Sequence, residues 1–127
     1  MYQLNLKSNS PIYEQIVTEI KEMCAKGLLK PHEKLPSVRE SSVQMLVNPN
    51  TVGKAYKELE RQGIIYTMKG KGSFVSEHSS LEPTRHELEN FDESLKKLIV
   101  EANFLQIDQE ALQSKINQFY QSLEGQE

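Results

Sequence analysis

The sequence is poor in cysteine, and its single residue of that type, Cys24, cannot form an internal disulfide. Cys24 falls on the apolar side of a predicted helix and reads as a small core residue, with redox sensing as the alternative. No apolar run approaches the roughly 18 residues that a membrane span needs. The N-terminus also lacks a basic region followed by an apolar stretch, so neither a signal peptide nor an anchor is expected, and the protein is predicted to be cytoplasmic with no membrane partner. Histidine is sparse. His32, His78 and His86 have no neighbour at i+3 or i+4 and no cysteine pair beside them, so no metal site and no cofactor are expected. Gly70-Lys71-Gly72 lacks the spacing and the following hydroxyl of a phosphate-binding P-loop. Glu87, Glu89, Asp92 and Glu93 read as one solvated helix face. No constellation for enzymatic chemistry is left.

The 127 residues allow one small domain plus an appendage. The net charge of −3 looks wrong for a nucleic-acid binder until it is divided. Residues 1 to 75 contain eleven Lys/Arg against seven Asp/Glu, net +4, and the remainder contains four against eleven, net −7. Such asymmetry is expected if the two parts have different partners.

The densest signals lie between Pro36 and Val75. Ser37 with Glu40 spells a capping box and predicts a helix from Val38 to about Met45. A second helix opens at Asn48 as N-cap, with Pro49 at the first helical position, where a missing amide hydrogen costs nothing, and Gly63 as its stop. Val52, Ala55, Tyr56 and Leu59 form its apolar stripe. That leaves Asn50, Thr51, Gly53, Lys54 and Lys57 on the outer faces. Amide and hydroxyl groups near a helix N-terminus, followed by lysines, can meet base edges and phosphates. Gly53 has no side chain to hold the helix away from a groove.

After Gly63 the period changes. Ile64 to Met68 and Ser73 to Ser76 are β-prone runs joined by Lys69-Gly70-Lys71-Gly72, which predicts a hairpin with a cationic tip. Taken alone, the tip reads better as a solvated turn with its glycines; attached to a helix of recognition type, it reads instead as a wing that meets phosphate. The fold class predicted is mainly α with a small β-hairpin, a winged helix-turn-helix followed by a two-helix dimerisation tail.

The run Leu35-Pro36-Ser37-Val38-Arg39-Glu40, then Val47-Asn48-Pro49-Asn50-Thr51-Val52, Ala55-Tyr56, Leu59-Glu60, Gly63 and Gly70-Lys71-Gly72-Ser73-Phe74-Val75 closely resembles the DNA-binding domain of the GntR family of bacterial transcription regulators. Upstream, Pro11-Ile12-Tyr13-Glu14-Gln15-Ile16 extends the resemblance to about residues 10 to 76. The short tail resembles the YtrA-type subfamily, whose members are often encoded beside transporter genes. The resemblance implies that Arg39, the start of the second helix and the wing tip contact operator DNA. The predicted DNA-binding set is therefore Ser37, Arg39, Asn48, Asn50, Thr51, Lys54, Lys57, Lys69, Gly70, Lys71 and Gly72. Three positions depart from the family pattern: Ser41-Ser42 stand where Leu-Ala is usual, and Leu46 stands where the interhelical turn usually has glycine. A buried Ser41 hydroxyl must find a partner. A left-handed Leu46 costs about 1 kcal/mol.

Upstream, Tyr2 to Leu6 alternates like a short strand. Ser10-Pro11 opens a helix with Tyr13, Ile16, Val17, Ile20, Met23 and Cys24 inward and Gly27 as its stop, and Leu28 to Leu35 is a connector. The predicted DNA-binding domain spans 1–76, a linker 77–84, and a helical dimerisation region 85–127. In that last part Leu88, Phe91, Leu95, Leu98, Ala102 and Leu105 make one seam, and Leu112, Ile116, Phe119 and Leu123 make a second. Ile107 and Leu112 staple the second helix around Asp108 as its N-cap. The seams either pair with a second copy or fold onto the winged domain as extra core. Two functional readings follow: a homodimeric regulator, a repressor, on an inverted-repeat operator in double-stranded DNA, or a protein–protein interaction module with an incidental basic face. Nothing in the sequence identifies a small-molecule effector.

Overall fold

Capping chemistry sets the helix ends, and most of it is local. In the computed structural model, which describes residues 4–77 and 82–124, the elements are α1 (Ile12–Ala25), α2 (Val38–Met45), α3 (Pro49–Arg61), β1 (Ile65–Met68), β2 (Gly72–Val75), α4 (Arg85–Phe104) and α5 (Gln109–Glu124). They divide into two compact units, Met1–Ser80 and Leu81–Glu127. The first residues of the expected Tyr2–Leu6 strand, and residues 78–81 of the expected linker with His78, lie outside the described residues. Among those described, no helix is long and apolar enough to cross a membrane.

In the first unit α2 carries the full capping box, with the Ser37 hydroxyl accepting from Glu40 N–H at 3.0 Å and Glu40 accepting from Ser37 N–H at 2.8 Å. Asn48 caps α3 by accepting from Asn50 N–H at 2.7 Å, with Pro49 next in the chain. α1 and α3 close on left-handed glycines, Gly27 at φ 78° and Gly63 at φ 77°. In both, the next residue's N–H reaches back five positions: Leu28 to Met23 O and Ile64 to Leu59 O, each 2.9 Å. α1 begins one residue later than Ser10-Pro11 predicts, with Pro11 itself as N-cap and no side-chain cap. Gln15 occupies that end instead, donating to Ser10 O at 2.9 Å and to Asn5 O at 3.0 Å, and accepting from Asn5 N–H at 2.7 Å. With its backbone held by a side chain, Leu4 to Leu6 is no strand; it leads into a turn closed by Ser8 N–H on Asn5 O.

Ile16, Ile20, Val52, Leu59, Ile65 and Val75 are buried and bind α1, α3 and the hairpin into one core, with Leu35 beneath. Burying each such side chain contributes about 1.5 to 3 kcal/mol before chain entropy is charged against it. Tyr13 and Met23 are half-buried at its edge. Cys24 belongs to this core, and burial pushes its thiol above the ordinary value, the condition of an inert cysteine.

β1 and β2 pair antiparallel, Ile65 opposite Val75 and Met68 opposite Gly72. The connector proves more regular than its sequence suggests. Residues 32–35 run along β2, with His32 N–H on Val75 O at 2.7 Å, Val75 N–H on Glu33 O at 2.9 Å and Leu35 N–H on Ser73 O at 2.9 Å.

The departures at 41, 42 and 46 are each accommodated. Ser41 is fully buried, and its hydroxyl lies 2.9 Å from the Tyr56 hydroxyl, which donates to Pro36 O at 2.7 Å. The Ser42 hydroxyl donates to Val47 O. Leu46 is left-handed, φ 57° and ψ 45°, with its side chain 91% exposed, so it fills the role of a helix-ending glycine at a cost of about 1 kcal/mol.

In the second unit a capping box of Thr84 with Glu87, outside the sequence-based expectations, starts α4. α4 ends on left-handed Gln106, φ 61°, with Ile107 N–H on Ala102 O at 2.8 Å. Asp108 caps α5 by accepting from Ala111 N–H at 2.8 Å. Half-buried Ile107 and Leu112 flank it and line one apolar groove of about 660 Å³ with Leu95, Ile99, Ala102 and Ile116. Of the two expected seams, Ala102 is buried, Leu112 and Leu123 are half-buried, and Leu88, Phe91, Leu95, Leu98, Leu105, Ile116 and Phe119 are exposed.

The Tyr56 hydroxyl generates the first prediction. Tyr56→Phe leaves the Ser41 hydroxyl with no partner at a fully buried site and frees Pro36 O, and should lower stability by about 1 to 3 kcal/mol. Urea unfolding measures it, and an unchanged midpoint would show that this network does not hold α2 to α3.

Candidate nucleic-acid interface

On α3 the buried stripe of Val52, Ala55, Tyr56 and Leu59 turns the opposite side outward. Asn50, Lys54 and Lys57 are exposed there, and Thr51 and Gly53 are half-exposed at its flanks. Arg61 closes this face one turn on, held to Glu58 by a hydrogen bond of 3.0 Å from Nε. Arg61 and then Gln62 lower the Glu58 carboxyl to about 2. The Glu58 carboxyl is therefore ionised through the physiological range. Lys54 differs from what its spacing suggests. Its Nζ sits 4.0 Å over the ring of Tyr13 on α1, a cation–π contact that holds the ammonium at one edge of the face. Asn48 and Ser37 also have local work: their side-chain oxygens cap α3 and α2.

The wing tip is a tight turn closed by Lys71 N–H on Met68 O at 2.9 Å, with Gly70 at φ 81° and Gly72 at φ 117°. Both backbone angles suit glycine. Behind the tip, Tyr66 stacks on Phe74 with ring centres 5.6 Å apart, and its hydroxyl meets His32 Nδ1 at 2.9 Å. His32 Nε2 is 2.9 Å from Glu77. These contacts brace the base of the hairpin.

Arg39 and the wing, some thirty residues apart in sequence, face one open groove. Ser37, Arg39 and Glu40 from the start of α2 line one side, and residues 67–72 line the other. The fold thus unites Ser37, Arg39, Lys69, Gly70, Lys71 and Gly72. The α3 residues do not line this groove; they form the helix face already described. The groove also contains a cation absent from the sequence-based set, Lys34. Its signal was a lysine directly ahead of Leu35-Pro36-Ser37, legible only once the connector is seen to run along β2. Glu40 is the groove's one carboxylate, held below its ordinary value first by the Ser37 backbone N–H, then by the Ser37 side chain, with the charge of Lys34 assisting. No cluster of His, Cys, Asp or Glu suited to a metal occurs among the described residues.

Residues 12–75 match the model for bacterial regulatory proteins of the gntR family. The HTH-type transcriptional repressor YtrA of Bacillus subtilis (strain 168) is 43% identical over 125 residues, which is 98% of this chain and 96% of that one. Among solved structures, the transcriptional antiterminator from Listeria monocytogenes EGD-e superposes with a TM-score of 0.92 at 41% identity, over 97% of this chain and 92% of that one. The AraR DNA-binding domain in complex with operator ORX1 superposes with a TM-score of 0.54 at 29% identity, over 58% of this chain and 95% of that one.

Gly53 offers a test of the α3 face. It lies inside the helix, and a β-carbon built there meets nothing within 4 Å. Gly53→Ala should therefore stabilise the protein by about 0.5 to 1 kcal/mol through helix propensity alone. A loss of stability in thermal or urea unfolding would mean that this position is packed and not part of an open face.

Proposed function

The chain belongs to the gntR family of bacterial regulatory proteins, DNA-binding transcription regulators and not enzymes, and from that membership we propose that it is a repressor that binds an inverted-repeat operator as a homodimer in the cytoplasm. The observation that carries the reading is the single basic groove shared by Arg39 and the wing lysines beside the polar outer face of α3. A recognition helix flanked by phosphate-binding cations is the arrangement that winged domains present to a duplex.

In this reading Asn50, Thr51 and Lys57 meet the major groove and its phosphates. Lys54 contributes charge from the edge where Tyr13 holds it. Ser37 and Asn48 act as caps that aim their helices and add backbone N–H groups. Arg39, Lys69, Gly70, Lys71 and Gly72 follow the sugar–phosphate backbone. Residues 1–76 form the DNA-binding domain, 77–84 a linker and 85–127 the dimerisation region. Exposed Leu88, Phe91, Leu95 and Leu98 support the last assignment, since an apolar face of this size calls for a cover. Likeness to YtrA-type regulators extends the proposal to a neighbouring transporter operon as the regulated target.

The competing reading, a protein-interaction module with an incidental basic face, predicts no salt-dependent duplex binding. The repressor reading predicts a steep one: neutralising several phosphates on each half-site costs roughly a thousandfold in affinity between about 50 and 200 mM salt. Within it, Arg39→Ala should cost about 1 to 3 kcal/mol of operator binding. Lys69→Ala with Lys71→Ala should weaken specific and non-specific binding alike and flatten the salt slope by about two units per protomer. A slope that does not move would take the hairpin off the DNA.

Dimerisation has its own check. Sedimentation equilibrium of the full chain should give a dimer at micromolar concentration, and Leu95→Glu should shift it towards monomer by placing a charge in the seam. A wild-type protein that remains monomeric at tens of micromolar would mean that the seams fold within one chain.

A further inference from the structure

Lys34 has a fixed backbone position. Its backbone is bridged to Phe74, and the flanking backbone hydrogen bonds to Ser73 and Val75 fix the connector against β2. Its side chain runs across Gly72: a β-carbon on that glycine would stand 2.9 Å from Lys34 Cε and 3.7 Å from Nζ. A side chain at position 72 would therefore push the lysine aside. Lys34 forms no salt bridge among the described residues. Its ammonium shares the groove with Arg39, Lys69 and Lys71, and none of these three has a salt-bridge partner among the described residues. The one carboxylate present, Glu40, already accepts the Ser37 N–H.

Four cations lining one groove that holds a single carboxylate make a site for an anion. We propose that this groove seats neighbouring backbone phosphates of bound duplex DNA, with Lys34 in direct contact with one of them beside those met by Arg39 and the wing lysines. The proposal rests on the DNA-binding reading above and deepens it. Lys34 rides on the connector strand, hydrogen-bonded to the wing, while Arg39 rides on α2. Neighbouring phosphates held by the two lie on one strand of the duplex, so the wing side and the α2 side of the groove meet the backbone together. A lysine suits the task as a point charge on a flexible stem.

The test measures binding of the full chain to a fluorescently labelled mixed-sequence duplex by anisotropy across a potassium chloride series. The variants are Lys34→Ala, Lys34→Arg, the wing pair Lys69→Ala with Lys71→Ala, and Lys26→Ala, whose ammonium pairs with Glu22 at 3.1 Å on α1. One lost phosphate contact removes about 0.9 from the slope of log affinity against log salt. Lys34→Ala should therefore flatten the slope by about one unit per protomer and weaken binding severalfold, while Lys34→Arg and Lys26→Ala keep the wild-type slope. A wild-type slope in Lys34→Ala beside a flattened one in the wing pair overturns the proposal and leaves DNA binding intact. Absence of salt-dependent binding by the wild-type chain overturns the DNA-binding reading itself. A parallel series exchanges chloride for inorganic phosphate at equal ionic strength. Extra displacement by phosphate that vanishes in Lys34→Ala is competition for the groove and supports a duplex phosphate seated there; displacement of equal size in wild type and Lys34→Ala counts against it.

Discussion

The Tyr56 hydroxyl is the constraint on which the arrangement of the DNA-facing elements depends. From the buried side of α3 it donates to the carbonyl of Pro36 at the end of the connector and meets the buried hydroxyl of Ser41 on α2. One group thus fixes three segments: the strand that carries Lys34, the helix that carries Arg39 and the helix that presents Asn50 and Lys57. An apolar contact tolerates sliding; a buried hydrogen-bonded pair does not, because every displaced arrangement leaves a polar group unsatisfied. The serine at position 41, which breaks the family's usual apolar pattern, is therefore a working part of the helix-turn-helix and not a defect in its core.

Charge then separates the two parts of the chain. The basic excess lies in residues 1 to 75 and the acidic excess in the remainder. A duplex attracts the first and repels the second, so orientation on DNA is favoured before any specific contact forms. In the tail the acids sit on helices whose apolar faces are exposed, with Leu95 and Ile99 on α4 and Leu112 and Ile116 on α5 around one groove. An acidic helical pair with an apolar face is suited to a protein partner, and a basic winged unit to a nucleic acid.

Where the determinants are local, they were legible. Ser37 with Glu40, Asn48-Pro49 and Gly63 specify α2 and α3 because each cap satisfies backbone groups within one turn of itself. Thr84 with Glu87 carries the same signal at the start of α4. What could not be read depends on tertiary placement. Leu28 to Leu35 contains Pro31 and no alternation, so its pairing with β2 comes from the hairpin it lies against. Lys54 follows the spacing of an outer-face residue, yet its ammonium rests on Tyr13, because the register of α1 on α3 is set by packing. In the tail a coiled-coil spacing selects Leu98, whereas the groove is lined by Ile99; a straight helix drifts from the 3.5-residue repeat that the seam assumes. The candidate interface divided along the same line: Arg39 and the wing tip were visible as motifs, and their meeting in one groove with Lys34 was not.

The proposed homodimer must place two winged units on one symmetric site. Genomic-fragment selection with the purified full-length protein tests that claim most directly. The recovered fragments should share an inverted repeat whose half-sites are centred about one duplex turn apart, roughly 34 to 36 Å, or a multiple of it. Recovery of unpaired half-sites, or no enrichment above bulk DNA, would contradict it.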